Sequence, residues 1–570
     1  MDHHAQPQPQ NDAMPWRKVY PDWLDWDMAL TETTLGQMFD RSVERFAERP
    51  ALEFLGRRYR YAEMGAGVER AAGVLNALGV KPGDCVGLNL PNCHAYVFYY
   101  YAVMKLGAVA VSFNPRYPAE VMAKFIDLAA IKLMVTLDLA EVYPTAAEAL
   151  ERSSLERLLV VPFTGQIPSL KGVLARALKR SLFAPVAYDQ TRVQRERDVV
   201  PIAPTYPQVL PQDTAALQFT GGTTGLPKMV ELSHANLTIN CQQVASWFHK
   251  AKEGKGSVVA VLPFFHVFAM TACLNFMISK GMEIIMLPKY EKRQLLSTIK
   301  AQKPTFFVGV PTLYNALSLD HSTQKSDWQT LEYCVSGGAA LPAAVAKRFA
   351  ERYGIALTEG YGLSETAPIV AVNPTDRPVR VDADGVGTIG LPVPGTRIRI
   401  VSSEDRKTVL PAGERGEVCI EGPQVFQGYR NNPDATAHAL QGRRFHTGDV
   451  GYMDEDGFTY LVDRIDDMIV ASGFNVYPRD IEEHLNRHDA VAECAVYGFA
   501  DSHRGQIPIA AIVLQPGQSV TAEALRDFLS DKLAAYQVPS EFEFLDELPK
   551  SVVGKLLKKD LRAARQARAT

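Results

Sequence analysis

The sequence predicts an α/β fold with parallel strands, divided into more than one domain. Three observations carry this. Helix-spaced apolar residues alternate with short β-rich runs, the chain of 570 residues exceeds what one hydrophobic core usually supports, and from Thr388 the texture changes to strands punctuated by glycine and proline. In chain order, residues 1–30 open with the polar stretch Met1–Gln10 and carry three tryptophans, which predicts a flexible N-terminal segment. Val68, Ala71, Ala72, Leu75 and Leu78 recur at spacings of three and four, which predicts a helix. Cys85–Leu90, Leu133–Thr136, Val258–Leu262 and Thr305–Gly309 are short and rich in strand-forming residues, as buried parallel strands are. Ala215–Phe219 reads as a further buried strand, and Ser233-His-Ala-Asn236 can open a helix. Beyond Thr388, Arg397–Val401 and Gly416–Glu421 predict a smaller β subdomain. There is no internal repeat.

Composition narrows the class. With 47% hydrophobic and 22% charged residues the chain is an ordinary globular protein, and a net charge of −4 with mixed signs gives no reason to expect nucleic acid as a partner. Seven cysteines are scattered without a Cys-x-x-Cys pair, which argues against a zinc cluster and a disulfide framework and for a reducing, cytoplasmic setting. No apolar run reaches the roughly 18 residues of a membrane span, and the N-terminus lacks a signal-peptide core. One segment, 169–183, places Leu170, Val173, Leu174, Ala177, Leu178 and Leu182 at helical spacing, with Lys171, Arg176, Lys179 and Arg180 largely elsewhere. Such a basic amphipathic helix suits either the plane of a membrane interface, as a peripheral contact, or packing against its own domain.

The chemistry is concentrated in Thr220-Gly-Gly-Thr-Thr-Gly-Leu-Pro-Lys228. Three glycines, three threonines and a lysine in nine residues suit a loop that holds phosphate. Glycine lets backbone N–H groups approach an anion, and the hydroxyls and lysine add donors and charge. Pro227 before the lysine and Met229 after it depart from the Walker A pattern, so a P-loop kinase or GTPase is disfavoured. Further motifs follow: Leu262-Pro-Phe-Phe-His-Val-Phe268, Ser336-Gly-Gly-Ala339, Glu359-Gly-Tyr-Gly-Leu-Ser-Glu-Thr366, His446-Thr-Gly-Asp449, Asp463-Arg-Ile-Asp-Asp-Met-Ile469, Ser472-Gly-Phe-Asn475 and Pro549-Lys-Ser-Val-Val-Gly-Lys555.

In that order these motifs resemble those of the acyl-adenylate-forming superfamily: acyl-CoA synthetases, luciferases and peptide-synthetase adenylation domains. The resemblance spans residues 30–560, and its connecting segments are most similar to long-chain fatty-acid CoA ligases. It implies a large N-terminal adenylation domain over 31–465, made of α/β subdomains plus the β subdomain, then a hinge at Asp466 and a small mobile α/β domain over 466–570. It implies ATP, Mg²⁺ and CoA as the molecules used besides the acid. Thr220, Gly221, Gly222, Thr223, Thr224, Gly225 and Lys228 would cradle the phosphates, and Glu365 with Thr220 would hold the metal. Gly338, Ala339, Glu359, Gly360, Tyr361, Gly362 and Ser364 would receive the nucleotide, with the Tyr361 ring against adenine. Asp449 would accept both ribose hydroxyls, helped by Arg464, and His266 would guard the acid. Lys555 would bridge carboxylate and α-phosphate during adenylation, after which rotation about the hinge would bring Gly473 to a pantetheine channel. Asp463 stands where many relatives carry glycine, with little consequence expected.

Val267 follows His266 where amino-acid-activating relatives have an aspartate, so an α-amino acid is disfavoured, and the 15 residues after Lys555 leave no room for a carrier domain. The chain also ends Ala567-Arg-Ala-Thr570, which is not the Ser-Lys-Leu peroxisomal address. The expected activity is an ATP-dependent ligase joining long- or medium-chain fatty acids to CoA. The alternatives are an aryl or dicarboxylic acid CoA ligase and a non-catalytic acyl- or nucleotide-binding relative; among assemblies a homodimer is favoured.

Overall fold

The computed structural model describes residues 14–220, 228–320, 322–383, 386–471, 474–501, 503–551 and 556–569. Among these residues four sheets form. The first has eight strands, and at its centre Cys85–Asn89, Val109–Ser112, Leu133–Leu137 and Arg157–Val161 run parallel. They are buried almost throughout, which is why their sequences are continuous apolar runs and not alternating ones. Thr214–Thr220 joins this sheet in parallel and then pairs antiparallel with Lys228–Ser233, so Thr220 and Lys228 face each other at the neck of a hairpin. Ser233 caps the helix that follows, His234–Trp247, by accepting from the Asn236 N–H.

The second sheet has nine strands with a parallel centre: Glu283–Met286, Ser257–Ala260, Phe306–Gly309, Tyr333–Ser336 and Leu357–Gly362. The third is antiparallel and contains the two strands expected beyond Thr388, Arg397–Val401 and Gly416–Glu421, together with Arg444–Met453 and Thr459–Arg464. The fourth begins at Ile469–Ala471 and pairs the long strands Val491–Asp501 and Gly505–Leu514, covered by helices Pro478–Leu485, Ala522–Ser530 and Lys558–Ala569.

One feature differs from the sequence expectation, and another was left open by it. The N-terminal segment is docked over residues 14–30: Trp16 is buried, the Trp26 indole donates to the Thr396 carbonyl at 3.1 Å, and the Tyr20 ring meets Trp247 edge-on at 5.9 Å. Its tryptophans find apolar partners hundreds of residues away, which composition could not reveal. The amphipathic helix Ser169–Leu178 turns its apolar stripe outward, leaving Leu170 73% and Leu178 78% exposed. It leans on its domain through Gly172, where an added Cβ would lie 3.2 Å from the Thr164 carbonyl oxygen, and through an Arg176–Asp138 ion pair of 2.8 Å.

Candidate active site

A cavity of about 1380 Å³ lies beyond the carboxyl ends of the parallel strands of the nine-stranded sheet, where open α/β sheets place their ligands. Its walls come from the hairpin neck, the nine-stranded sheet, the antiparallel third sheet, Ser551 and residues of 556–562. One polar end gathers Thr220, Lys228, Glu365 and Tyr429. The Thr220 hydroxyl donates to the Lys228 carbonyl at 3.4 Å, and the Lys228 ammonium stands 5.0 Å from the centre of the Tyr429 ring. The Tyr429 hydroxyl donates to Glu365 Oε1 at 2.9 Å. Burial raises the pKa of Glu365, opposed by its hydrogen bonds and by the charges of Arg464 and Lys228.

The neighbouring wall is built from two strand ends. Gly338, Ala339, Glu359, Gly360, Tyr361, Gly362 and Ser364 all line it, as the motifs imply. Gly338 has φ +80°, a left-handed conformation that glycine adopts without a Cβ clash, and a Cβ at Gly337 would lie 2.8 Å from the Phe268 ring. The Tyr361 hydroxyl donates to Asp449 Oδ2, and Arg464 Nε lies 3.4 Å from Asp449 Oδ1, so ring, carboxylate and guanidinium fix one another. Burial first, then the charge of Asp449, pushes the Tyr361 phenol well above its usual range.

Glu359 is buried, its Oε1 accepting from the Leu341 N–H at 2.9 Å, and burial holds its pKa up at about 7. In the unfolded chain the same carboxyl ionises near pH 4.3. The folded state therefore retains a proton that the unfolded state has lost between these values, and stability falls as pH rises through that window, by roughly 4 kcal/mol at most. Glu359→Gln, which still accepts from Leu341, is expected to flatten this slope; urea midpoints from pH 5 to 8 test it, and an unchanged slope would refute the assignment.

A third arm of the cavity is apolar. Along the strand Phe306–Gly309 and just past it, Phe306, Val308 and Val310 line the space, whereas Phe307 faces away toward Tyr314 and Trp328. The same arm is lined by Val244 and Phe248, four apart on one helix and its C-cap, and by Ala272 and Phe276, four apart across the π-helix Met270–Asn275 and its continuation. Phe248, Phe276 and Phe306 close the inner end, with ring centres 5.6 to 6.2 Å apart. From Val310 to Phe306 the arm runs about 13 Å, at ~3.3 Å per residue. His266 lines the cavity and caps the helical segment that carries this wall, its Nδ1 accepting from the Phe268 N–H at 3.3 Å.

The structure thus brings Thr220, Lys228, His266, Glu365, the 338–339 and 359–364 segments, Asp449, Arg464 and Asp466 to one cavity. Gly221, Gly222, Thr223, Thr224, Gly225, Gly473 and Lys555 lie outside the described residues. Asp463 has more to do than expected: Oδ1 accepts from the Arg464 N–H at 2.8 Å, and Oδ2 from the Arg479 N–H at 2.9 Å in the first turn of helix Pro478–Leu485. A carboxylate at a helix N-terminus is favourable, and this one joins the two sides of Asp466. Tyr429 and Lys558 were not foreseen. Lys558 sits three residues past Lys555 and pairs with Glu482 at 2.9 Å. Burial alone would lower its pKa, but Glu482, Asp463 and Asp467 raise it. Neither residue carries a local signal beyond its type.

A cavity that joins a hairpin-neck lysine, a buried carboxylate and an aspartate–tyrosine–arginine cluster to an apolar arm defines a nucleotide-using enzyme that acts on an apolar molecule. The profile of the AMP-binding enzyme family matches residues 39–430, that of the AMP-binding enzyme C-terminal domain matches residues 480–555, and the chain belongs to this family. A long-chain-fatty-acid–CoA ligase of Bacillus subtilis (strain 168) is 36% identical over 560 residues, covering 96% of this chain and 97% of its own. A feruloyl-CoA synthase of an Amycolatopsis species is 34% identical over 530 residues, covering 93% and 98%. Among solved structures, the anthranilate CoA ligase AuaEII in complex with anthranoyl-AMP superposes with a TM-score of 0.82 at 26% identity, covering 95% of this chain and 99% of its own. ATP-bound MatB from Rhodopseudomonas palustris gives 0.79 at 26%, covering 94% and 100%.

Proposed function

We propose that this protein is an AMP-forming acid–thiol ligase that activates long- or medium-chain fatty acids with ATP and passes them to CoA. The observation that carries the choice of acid is the apolar arm, an elongated channel walled by aliphatic and aromatic side chains and closed by three phenylalanines. The carboxylate oxygen attacks the α-phosphorus, the bond to pyrophosphate breaks, and the CoA sulfur then attacks the acyl carbon as AMP leaves. Lys228, the 220–228 loop and Lys555 hold the charge that builds on the phosphates. Asp449 accepts from the ribose, Tyr361 offers its face to adenine, and His266 stands where the acid meets the nucleotide. Mg²⁺ is the proposed cation. Glu365 fits it: a hard oxygen donor, buried, whose charge burial disfavours and a cation would restore, with the Thr220 hydroxyl on the same wall. When bound, Mg²⁺ neutralises phosphate charge. The two half-reactions alternate by rotation about Asp466, which withdraws Lys555 and presents Gly473 to CoA.

Pyrophosphate release across acids of graded length, with benzoate and a dicarboxylate included and CoA present or omitted, tests this reading. CoA-dependent turnover peaking on long or medium chains is expected; a peak on the aromatic acid, in line with the feruloyl-CoA relative, would overturn the choice of acid, and the absence of thioester would overturn ligation to CoA.

The outward stripe of Ser169–Leu178 supports a second part of the proposal, peripheral contact with anionic membrane. Among the described residues no helix is long and apolar enough to cross a membrane. Exposed Leu170, Val173 and Leu178 lie beside Lys171, Lys179 and Arg180, an arrangement that partitions into a lipid interface, each basic residue adding about 1 kcal/mol near anionic headgroups. Reversing Lys179 and Arg180 to glutamate is expected to lower co-sedimentation with phosphatidylserine vesicles at least tenfold; unchanged binding would remove the contact.

A further inference from the structure

The position of Asp449 depends on an irregularity in the third sheet. Strands Gly416–Glu421 and Arg444–Met453 pair Ile420 with Phe445 and Cys419 with His446, and then Glu417 with Val450. One residue on the first strand, Val418, is therefore opposed by three on the second: Thr447, Gly448 and Asp449. Such a bulge re-aims a side chain, here that of Asp449 into the cavity, and it removes the ladder partners of its own N–H groups. Gly448 makes the bend at φ +73°.

Two side chains hold the bulge. The Thr447 hydroxyl donates to the Val418 carbonyl at 2.7 Å and accepts from the Asp449 N–H at 3.0 Å. Glu417 does the rest: Oε1 accepts from the Gly448 N–H at 3.1 Å, and Oε2 accepts from His446 Nδ1 at 2.8 Å and lies 3.4 Å from Arg406 Nε. Glu417 and His446 are buried, and the Cys419 sulfur, 3.4 Å from Nδ1, closes the remaining side. Arg406 in turn donates to the His438 carbonyl at 3.2 Å, so the buried carboxylate has a balancing charge that is itself anchored. A charge that accepts from a backbone amide, an imidazole and a guanidinium gives stronger, shorter hydrogen bonds than a neutral acceptor.

We infer that Glu417 is a positioning residue for adenylation: through Gly448 and His446 it sets the bulge that presents the Asp449 carboxylate to the ribose hydroxyls of ATP. This rests on the reading of Asp449 as the ribose acceptor. Glu417 acts through the backbone of the bulge, and its effect therefore falls on one substrate of three.

Kinetics with ATP and with 2′-deoxy-ATP test it on the full chain. Glu417→Gln keeps the shape and an acceptor for Gly448 but removes the negative charge that faces His446 and Arg406. It is expected to raise the KM for ATP about tenfold, to leave the KM values for acid and CoA within twofold, and to shrink the preference for ATP over 2′-deoxy-ATP. A general loss of folding would instead move all substrates together and leave that preference intact. If the wild-type enzyme shows no preference for ATP over 2′-deoxy-ATP, the ribose reading of Asp449 fails. If it does and Glu417→Gln keeps the full preference with an unchanged KM for ATP, the role of Glu417 is overturned. Should Glu417→Gln not fold, Glu417→Asp, which keeps the charge but withdraws it by one methylene, carries the same measurement.

Discussion

Replacing Lys555 with alanine is expected to slow acyl-AMP formation by about 10²- to 10³-fold, the effect of losing one donor to the charge that develops in the transition state. Thioester formation from supplied acyl-AMP is expected to survive, because the proposed rotation withdraws Lys555 before CoA attacks. The described residues that flank it in the chain, Ser551 and Leu556, line the cavity that holds Glu365, Asp449 and Arg464. Lys558, partly buried at the start of helix Lys558–Ala569, pairs with Glu482 at 2.9 Å. Rapid-quench measurement of each half-reaction separates the outcomes, and an equal loss in both would contradict the role.

The second large effect concerns the apolar arm. Ala272 lines this wall from the π-helix Met270–Asn275, which in the chain lies between His266 and Phe276 of the phenylalanine closure. Ala272→Phe places a ring across the arm and is expected to exclude the distal part of a long acyl chain while leaving the carboxylate end open. Each methylene that no longer enters loses about 0.8 kcal/mol of burial. Six such groups amount to about 5 kcal/mol, or roughly 10³-fold in kcat/KM for a sixteen-carbon acid. A six-carbon acid is expected to change little, apart from an overpacking penalty of about 1–3 kcal/mol in stability. The ratio of the two kcat/KM values is the readout; a parallel fall for both acids would mean that the arm does not hold the chain.

Much of this protein is legible without its tertiary structure, because the signals are local. Buried parallel strands such as Cys85–Asn89 and Leu133–Leu137 must be continuous apolar runs, a helix beginning at His234 needs a cap, and Ser233 supplies one. The motif residues are legible for the same reason: a tight approach demands glycine at Gly337, a left-handed turn demands it at Gly448, and donors and carboxylates must sit beside them. A hydrophobic stripe, by contrast, does not say which way it faces. The spacing in 169–183 is the same whether the leucines are buried or turned outward, and only the packing of Gly172 on Thr164 settles that they face out.

What the sequence determined alone is therefore the α/β class, the family and the motif segments that the described residues bring to the cavity, since each follows from residues close together in the chain. The tertiary structure decided the rest. The closure of the apolar arm brings Phe248, Phe276 and Phe306 together from three elements, and the hold of Glu417 on the Asp449 bulge spans 31 residues at Gly448. The bond from Asp463 to the helix beyond Asp466 exists only because two sheets meet there. Such contacts depend on register and layer packing, which arise from the summed burial of the whole chain and leave no imprint on the spacing of any one segment.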